Sequence, residues 1–166
     1  MLPALLAATL GCGYAWVGYD AGFGDIRTVA IRTPANDSFE PGVEFVVADA
    51  LRREFLRRGA VRVVDDPASA DLVVDGRIAA LKSGGRSFSS VIFTMEYELV
   101  MVLDLKAVRA DGTPLAIGER SLEDSEYYLA SADVEATRKN REEAVRRVAQ
   151  VLAQRVHDSL LEAAPR

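Results

Sequence analysis

The sequence is short of the side chains from which most chemical sites are built. Cys12 is its only cysteine and His157 its only histidine. No intramolecular disulfide can form, and the nitrogen and sulfur donors of a zinc site are missing. Cations are in deficit too: 20 Lys and Arg stand against 25 Asp and Glu, a formal net charge of −5. That balance argues against a nucleic-acid partner, which requires a basic surface.

The remaining chemistry is equally sparse. His157, Asp158 and Ser159 are consecutive on a predicted helix, about 100° apart around its axis, so they cannot converge as a triad. His157 is therefore expected at the helix surface or boundary. The acidic stretch Asp65 to Asp71 lacks calcium-loop spacing. Gly18, Gly22 and Gly24 are followed by no Lys-Ser/Thr and do not lie between a strand and a helix, which argues against a phosphate cradle. Glu96 and Glu98 read as the wet side of a strand. Neither an enzyme nor a bound metal or cofactor is expected.

What the chain does have begins at its N-terminus. The apolar run Leu5-Leu6-Ala7-Ala8-Thr9-Leu10 ends in Gly11-Cys12, the pattern read by the bacterial lipoprotein pathway, where the thiol is acylated and the preceding segment removed. A membrane-spanning helix needs roughly 20 apolar residues, so a signal segment over residues 1–11 is the better reading. No Lys or Arg precedes the run, which implies that the basic start of the export signal lies upstream of Met1. Cys12 would carry the only covalent lipid.

Beyond it, residues 12–25 mix glycines with Tyr14, Trp16, Tyr19 and Phe23, as in a tether that docks by its aromatics. Residues 26–166 then form a single domain, with 49% apolar and 27% charged residues across the chain, a folded composition. Ile26–Thr33 reads as a strand, Pro34 to Gly42 as a loop, and Val43–Arg58 as a helix. Its stripe is Val43, Val46, Val47, Ala50, Leu51 and Leu56, and Gly59 is its stop. Ala60–Asp65 reads as a further strand, ending at Asp66-Pro67.

The strongest pattern runs from Val91 to Leu105, where every odd position is apolar and the even positions include Thr94, Glu96, Glu98 and Asp104. A period of two sustained this far predicts a long strand with one buried face. Leu72, Val74, Ile78 and Ala80 alternate likewise. Gly84-Gly85 reads as the hairpin between the two strands, and Asp111-Gly112 as the next turn. A helix from about Asp133 to Ala163 carries the core stripe Val145, Val148, Leu152, Val156 and Leu160, with Glu135/Lys139, Glu142/Arg146 and Glu143/Arg147 as surface pairs. The expected fold class is α+β, a two-layer sandwich with two helices on one face of a four- or five-stranded, mostly antiparallel sheet.

A family resemblance runs over nearly the whole chain after Gly11. It is carried in order by Gly11-Cys12-Gly13-Tyr14, Val29-Ala30-Ile31, Asn36, Glu40-Pro41-Gly42-Val43-Glu44, Leu51-Arg52-Arg53-Glu54-Phe55 and Val63-Val64. It continues through Ala70-Asp71-Leu72-Val73-Val74-Asp75-Gly76-Arg77-Ile78, Glu96-Tyr97-Glu98-Leu99 and Arg141-Glu142-Glu143-Ala144. In this order the sequence resembles the LptE family of lipopolysaccharide-assembly lipoproteins.

The resemblance implies a non-enzymatic protein on the periplasmic face of the outer membrane, anchored by its acylated cysteine. It would sit largely inside the β-barrel LptD, assisting barrel assembly and passage of lipopolysaccharide. Gly13, rather than Asp, after the cysteine fits outer-membrane sorting. Family members place basic residues near the strand loops against lipopolysaccharide phosphates; the matching positions here are Ser90 and Ser131, so that assignment does not carry over. Lys82 and Arg86, flanking Gly84-Gly85, are the nearby cations that could replace them. The strand–helix–strand opening also resembles lipoproteins related to the TolB N-terminal domain, which would make the partner a cell-wall synthase or secretion assembly instead.

Overall fold

Helix α1 forms over Val43–Arg58, the span its apolar spacing predicts. Val43, Val47, Leu51 and Phe55, four residues apart, make the buried row. Leu56 was expected in that stripe but lies about 100° round the axis from Phe55 and is 64% exposed. Gly59 ends the helix at φ 67°, its N–H donating to the Phe55 carbonyl, a left-handed cap that costs a residue with a Cβ more than it costs glycine.

The computed structural model describes residues 22–88 and 94–164; the expected signal segment, Cys12, Ser90, Val91 and Phe93 lie outside them. The strands are β1 (Thr28–Ile31), β2 (Ala35–Asn36), β3 (Arg62–Val64), β4 (Leu72–Phe88), β5 (Thr94–Arg109) and β6 (Ser121–Leu129). They form one sheet in the order β3-β1-β4-β5-β6, with β2 pairing β4 within the stretch read as a loop. β4–β5 and β5–β6 are the expected antiparallel meander. β1 runs parallel to both β3 and β4, because α1 supplies the crossover that a parallel pair needs.

Helix α2 (Val134–Ala163) starts at Asp133, whose side chain accepts from the Glu135 N–H. Its predicted stripe is buried, as are Leu99, Met101, Leu103 and Leu105 of β5, so both helices cover one face of the sheet. The surface pairs differ from those expected. Arg138 joins Glu135 and Glu142, Arg146 joins Glu143, and Arg147 reaches across to Glu126 of β6. The guanidinium fork spans three residues as readily as four, and Arg147 is turned toward the sheet.

Three further expectations are corrected. Gly84-Gly85 is not the hairpin: both residues sit inside β4, opposite Glu98 and Tyr97, and pairing continues to Phe88 opposite Thr94. A strand keeps its ladder through glycine when its partner remains in register. A β-bulge between Ile78 and Ala80 then shifts the phase of β4, so Leu81 rather than Ala80 stands opposite Met101 and packs on the core. His157 is buried, not superficial: it is 2% exposed and meets Phe23 and Phe55 edge-on at 5.3 and 5.1 Å. Phe23, from the stretch expected to dock by its aromatics, closes this cluster.

Candidate functional site

Because the bulge and the register place side chains of opposite character on opposite faces, the sheet has one dry side and one wet side. The wet side carries Glu96, Glu98, Val100, Val102, Asp104 and Lys106 of β5, all half-buried or exposed. Two ion clusters cross it. Arg77 bridges Asp104 at 2.8 Å and Asp37 at 3.2 Å, and Ser121 donates to Asp104 at 2.9 Å. The hydrogen bonds from Arg77 and Ser121 hold the Asp104 carboxyl below its usual range. Nearer the end of β4, Arg86 lies 3.6 Å from Glu98 and over the Tyr127 ring at 5.6 Å.

The candidate cations are thereby placed. Lys82 stands opposite Val100 and Arg86 contacts Glu98, so both belong to the wet face and both are exposed. Arg86 is engaged by a carboxylate and a ring of its own sheet. Cys12 and Ser90 lie outside the described residues.

Beyond the reach of the helices the dry face becomes exposed. Met95 continues the odd-numbered apolar row, yet it is 54% exposed. With Ser87, Glu96, Leu129, Ala130, Ser131 and Ala132 it lines a cleft of about 650 Å³ between the paired ends of β4 and β5 and the β6–α2 connection. Phe88, Leu129 and Val134 are exposed around it, and Asn140 of α2 donates to the Leu129 carbonyl at 3.0 Å. Ser131 belongs to this cleft, its backbone N–H donating to Thr137 Oγ1 at 2.8 Å. The sequence carried a signal for it, since an apolar row longer than its cover must end in water.

The opposite end of the helices is closed. Asp71 Oδ2 accepts from the Arg27 and Thr28 N–H groups at 2.9 and 2.8 Å and from Thr28 Oγ1 at 2.9 Å. These bonds hold the Asp71 carboxyl below its usual range and clamp the start of β1 to β4. Among the described residues no three His, Cys, Asp or Glu side chains are grouped to hold a metal ion. No described helix is long and apolar enough to cross a membrane.

Comparison with known proteins adds an independent line. The family model LptE, described as lipopolysaccharide-assembly, matches residues 26–160. No curated protein matches the chain. Among solved structures, uncharacterized lipoprotein B from Nitrosomonas europaea is similar at 15% identity, covering 92% of this chain and 91% of its own, with a TM-score of 0.61. A putative lipoprotein from Caulobacter crescentus is similar at 14% identity, with 87% and 93% covered and a TM-score of 0.56. The rare lipoprotein B from Shewanella oneidensis shows 17% identity, 82% and 95% coverage and a TM-score of 0.51. At these identities the structures show a shared fold.

Proposed function

Since this chain belongs to the LptE family of lipoproteins, non-enzymatic proteins of lipopolysaccharide assembly at the outer membrane, we propose that it works as the plug and partner of an LptD-like outer-membrane β-barrel. The observation that carries this reading is the family match across residues 26–160. The geometry agrees with it: a domain enclosed by a barrel must offer surface on several sides, and among the described residues no helix covers the wet face of the sheet, while Met95 near the start of β5 is exposed.

In the same reading Cys12 carries the acyl anchor on the periplasmic side of the outer membrane. Lys82 and Arg86 on the wet face meet the phosphates of lipopolysaccharide. Exposed charges of this kind act within a Debye length of about 8 Å at physiological salt, so their contribution is salt-sensitive.

The test places photo-crosslinkers at Ser87, Glu98 and Thr113 in cells producing either the wild-type lipoprotein or Lys82→Glu with Arg86→Glu. All three positions should capture one large β-barrel protein in both backgrounds. Glycolipid captured at Ser87 should fall in the double variant and with added salt. A cell-wall synthase or secretion subunit in place of the barrel would refute the plug reading, and unchanged glycolipid capture would remove Lys82 and Arg86 from the contact.

A further inference from the structure

Strand β6 is the last of the described sheet, and its outer edge is long and regular. It pairs with β5 in one unbroken register, from Glu96 opposite Leu129 to Asp104 opposite Ser121. The Ala130 N–H donates to the Met95 carbonyl and the Leu105 N–H to the Arg120 carbonyl. Antiparallel pairing alternates, so the even-numbered residues of β6 turn their backbone groups to β5, and the odd-numbered ones from Ser121 to Leu129 turn theirs outward. A row of outward backbone groups is a template for another strand. The opposite edge, β3, has only the three residues Arg62–Val64, and shortness is itself a protection.

Three side chains of α2 reach the outward row of β6. Asn140 Nδ2 donates to the Leu129 carbonyl at 3.0 Å, Arg147 Nη2 to the Tyr127 carbonyl at 3.3 Å, and Arg155 Nη1 to the Glu123 carbonyl at 2.6 Å. Each guanidinium is also aimed by a carboxylate: Arg147 Nε donates to Glu126 at 2.7 Å, and Arg155 Nη2 to the two oxygens of Glu119 at 3.3 and 3.2 Å. The match is geometric. Asn140 to Arg155 covers roughly 22 Å of helix at about 1.5 Å per residue, and Leu129 to Glu123 roughly 20 Å of strand at about 3.4 Å. Steps of seven and eight residues, close to two helical turns each, keep the three donors on one side of α2.

Stability gives little reason for this row. Asn140 and Arg147 are exposed and Arg155 is half-buried, and exposed ion pairs contribute little to folding. What the three side chains do is occupy acceptors that an incoming strand would need. A second β6 is the strand that fits this edge: outward donors and acceptors alternate along it, so two copies related by a two-fold axis are complementary in their main chains.

We propose that Asn140, Arg147 and Arg155 form an edge guard that closes β6 to strand addition by a second copy of this chain. The experiment follows the purified full-length lipoprotein in detergent by sedimentation velocity. Wild type should sediment as a single copy. Asn140→Ala with Arg147→Ala and Arg155→Ala should shift to dimers or larger species at the same concentration, although loss of two cations makes the chain more acidic and by itself opposes association. Adding Ser125→Pro, which removes an outward N–H and spares the ladder to β5, should return the variant to a single copy. Ser125→Lys sets a charge on the same edge and should do likewise. A triple variant that stays a single copy overturns the guard. Association that both blockers leave unchanged overturns it as well, because the contact then lies elsewhere than the edge. So does a wild type that already associates and is dispersed by Ser125→Pro. If circular dichroism shows the triple variant unfolded, Arg147→Ala with Arg155→Ala is read by the same criteria.

Discussion

His157 shows how one side chain can set the pH response of the domain. Its Nε2 is buried without a hydrogen-bond partner, and its Nδ1 lies 3.2 Å from Asp158 Oδ1. Glu54 and Arg58 of α1 face it across the helix interface. Burial pulls its pKa below the ordinary histidine value, with Asp158 opposing and Arg58 reinforcing the effect. The folded state thus disfavours the proton that the unfolded chain takes up below about pH 6.5. Stability from this group is fully present above that value and is lost as pH falls toward the lowered folded pKa. His157→Phe should flatten the fall in thermal midpoint between pH 7 and 5 while changing stability at pH 7.5 by less than about 1.5 kcal/mol, because the phenyl ring keeps the volume. An unchanged slope in thermal melts across that range would place the pH response elsewhere.

At the scale of the element, β4 contains two glycines of opposite meaning. A Cβ on Gly76 would lie 2.9 Å from the Asp104 backbone oxygen of β5, whereas one on Gly84 meets nothing within 4 Å. Gly76→Ala must push two paired strands apart and should cost about 1–3 kcal/mol. Gly84→Ala, in ordinary strand geometry, should be neutral or stabilising by up to about 1 kcal/mol. Urea titrations read both, with an unchanged denaturant slope showing that the transition remains the same. Equal losses at the two positions would mean that close approach at Gly76 is not what selects glycine there. Glu54 belongs to the same scale. Burial opposes its ionisation, but the guanidiniums of Arg57 and Arg58 outweigh that and hold it below the usual range, so the buried face of α1 accommodates one charge.

Across the whole molecule the two ends differ. The chain comes in at the closed end, where Phe23 packs on Phe55 and His157. The exposed apolar cleft lies beside the start of α2, whose 30 residues extend roughly 45 Å at about 1.5 Å each. Under the reading proposed above, an acyl anchor at Cys12 precedes the chain's entry at Phe23. Each buried methylene contributes about 0.8 kcal/mol, and a single chain holds a membrane only marginally. Cys12→Ala, produced with its complete upstream signal, should therefore leave the protein uncleaved or shift it to the soluble fraction. A variant that stays firmly in outer-membrane fractions would mean that Cys12 is not the anchor.

Sequence alone determined whatever depends on neighbours along the chain. Periodicity placed α1 at Val43–Arg58 and the buried row Leu99 to Leu105, and the ordered short motifs indicated the family that the match over residues 26–160 establishes. Tertiary structure alone decided what depends on where the cover ends and how strands align. A bulge that turns Leu81 inward, a glycine pair carried inside a strand, and a histidine closed in by rings from two other segments each arise from contacts between residues far apart in sequence.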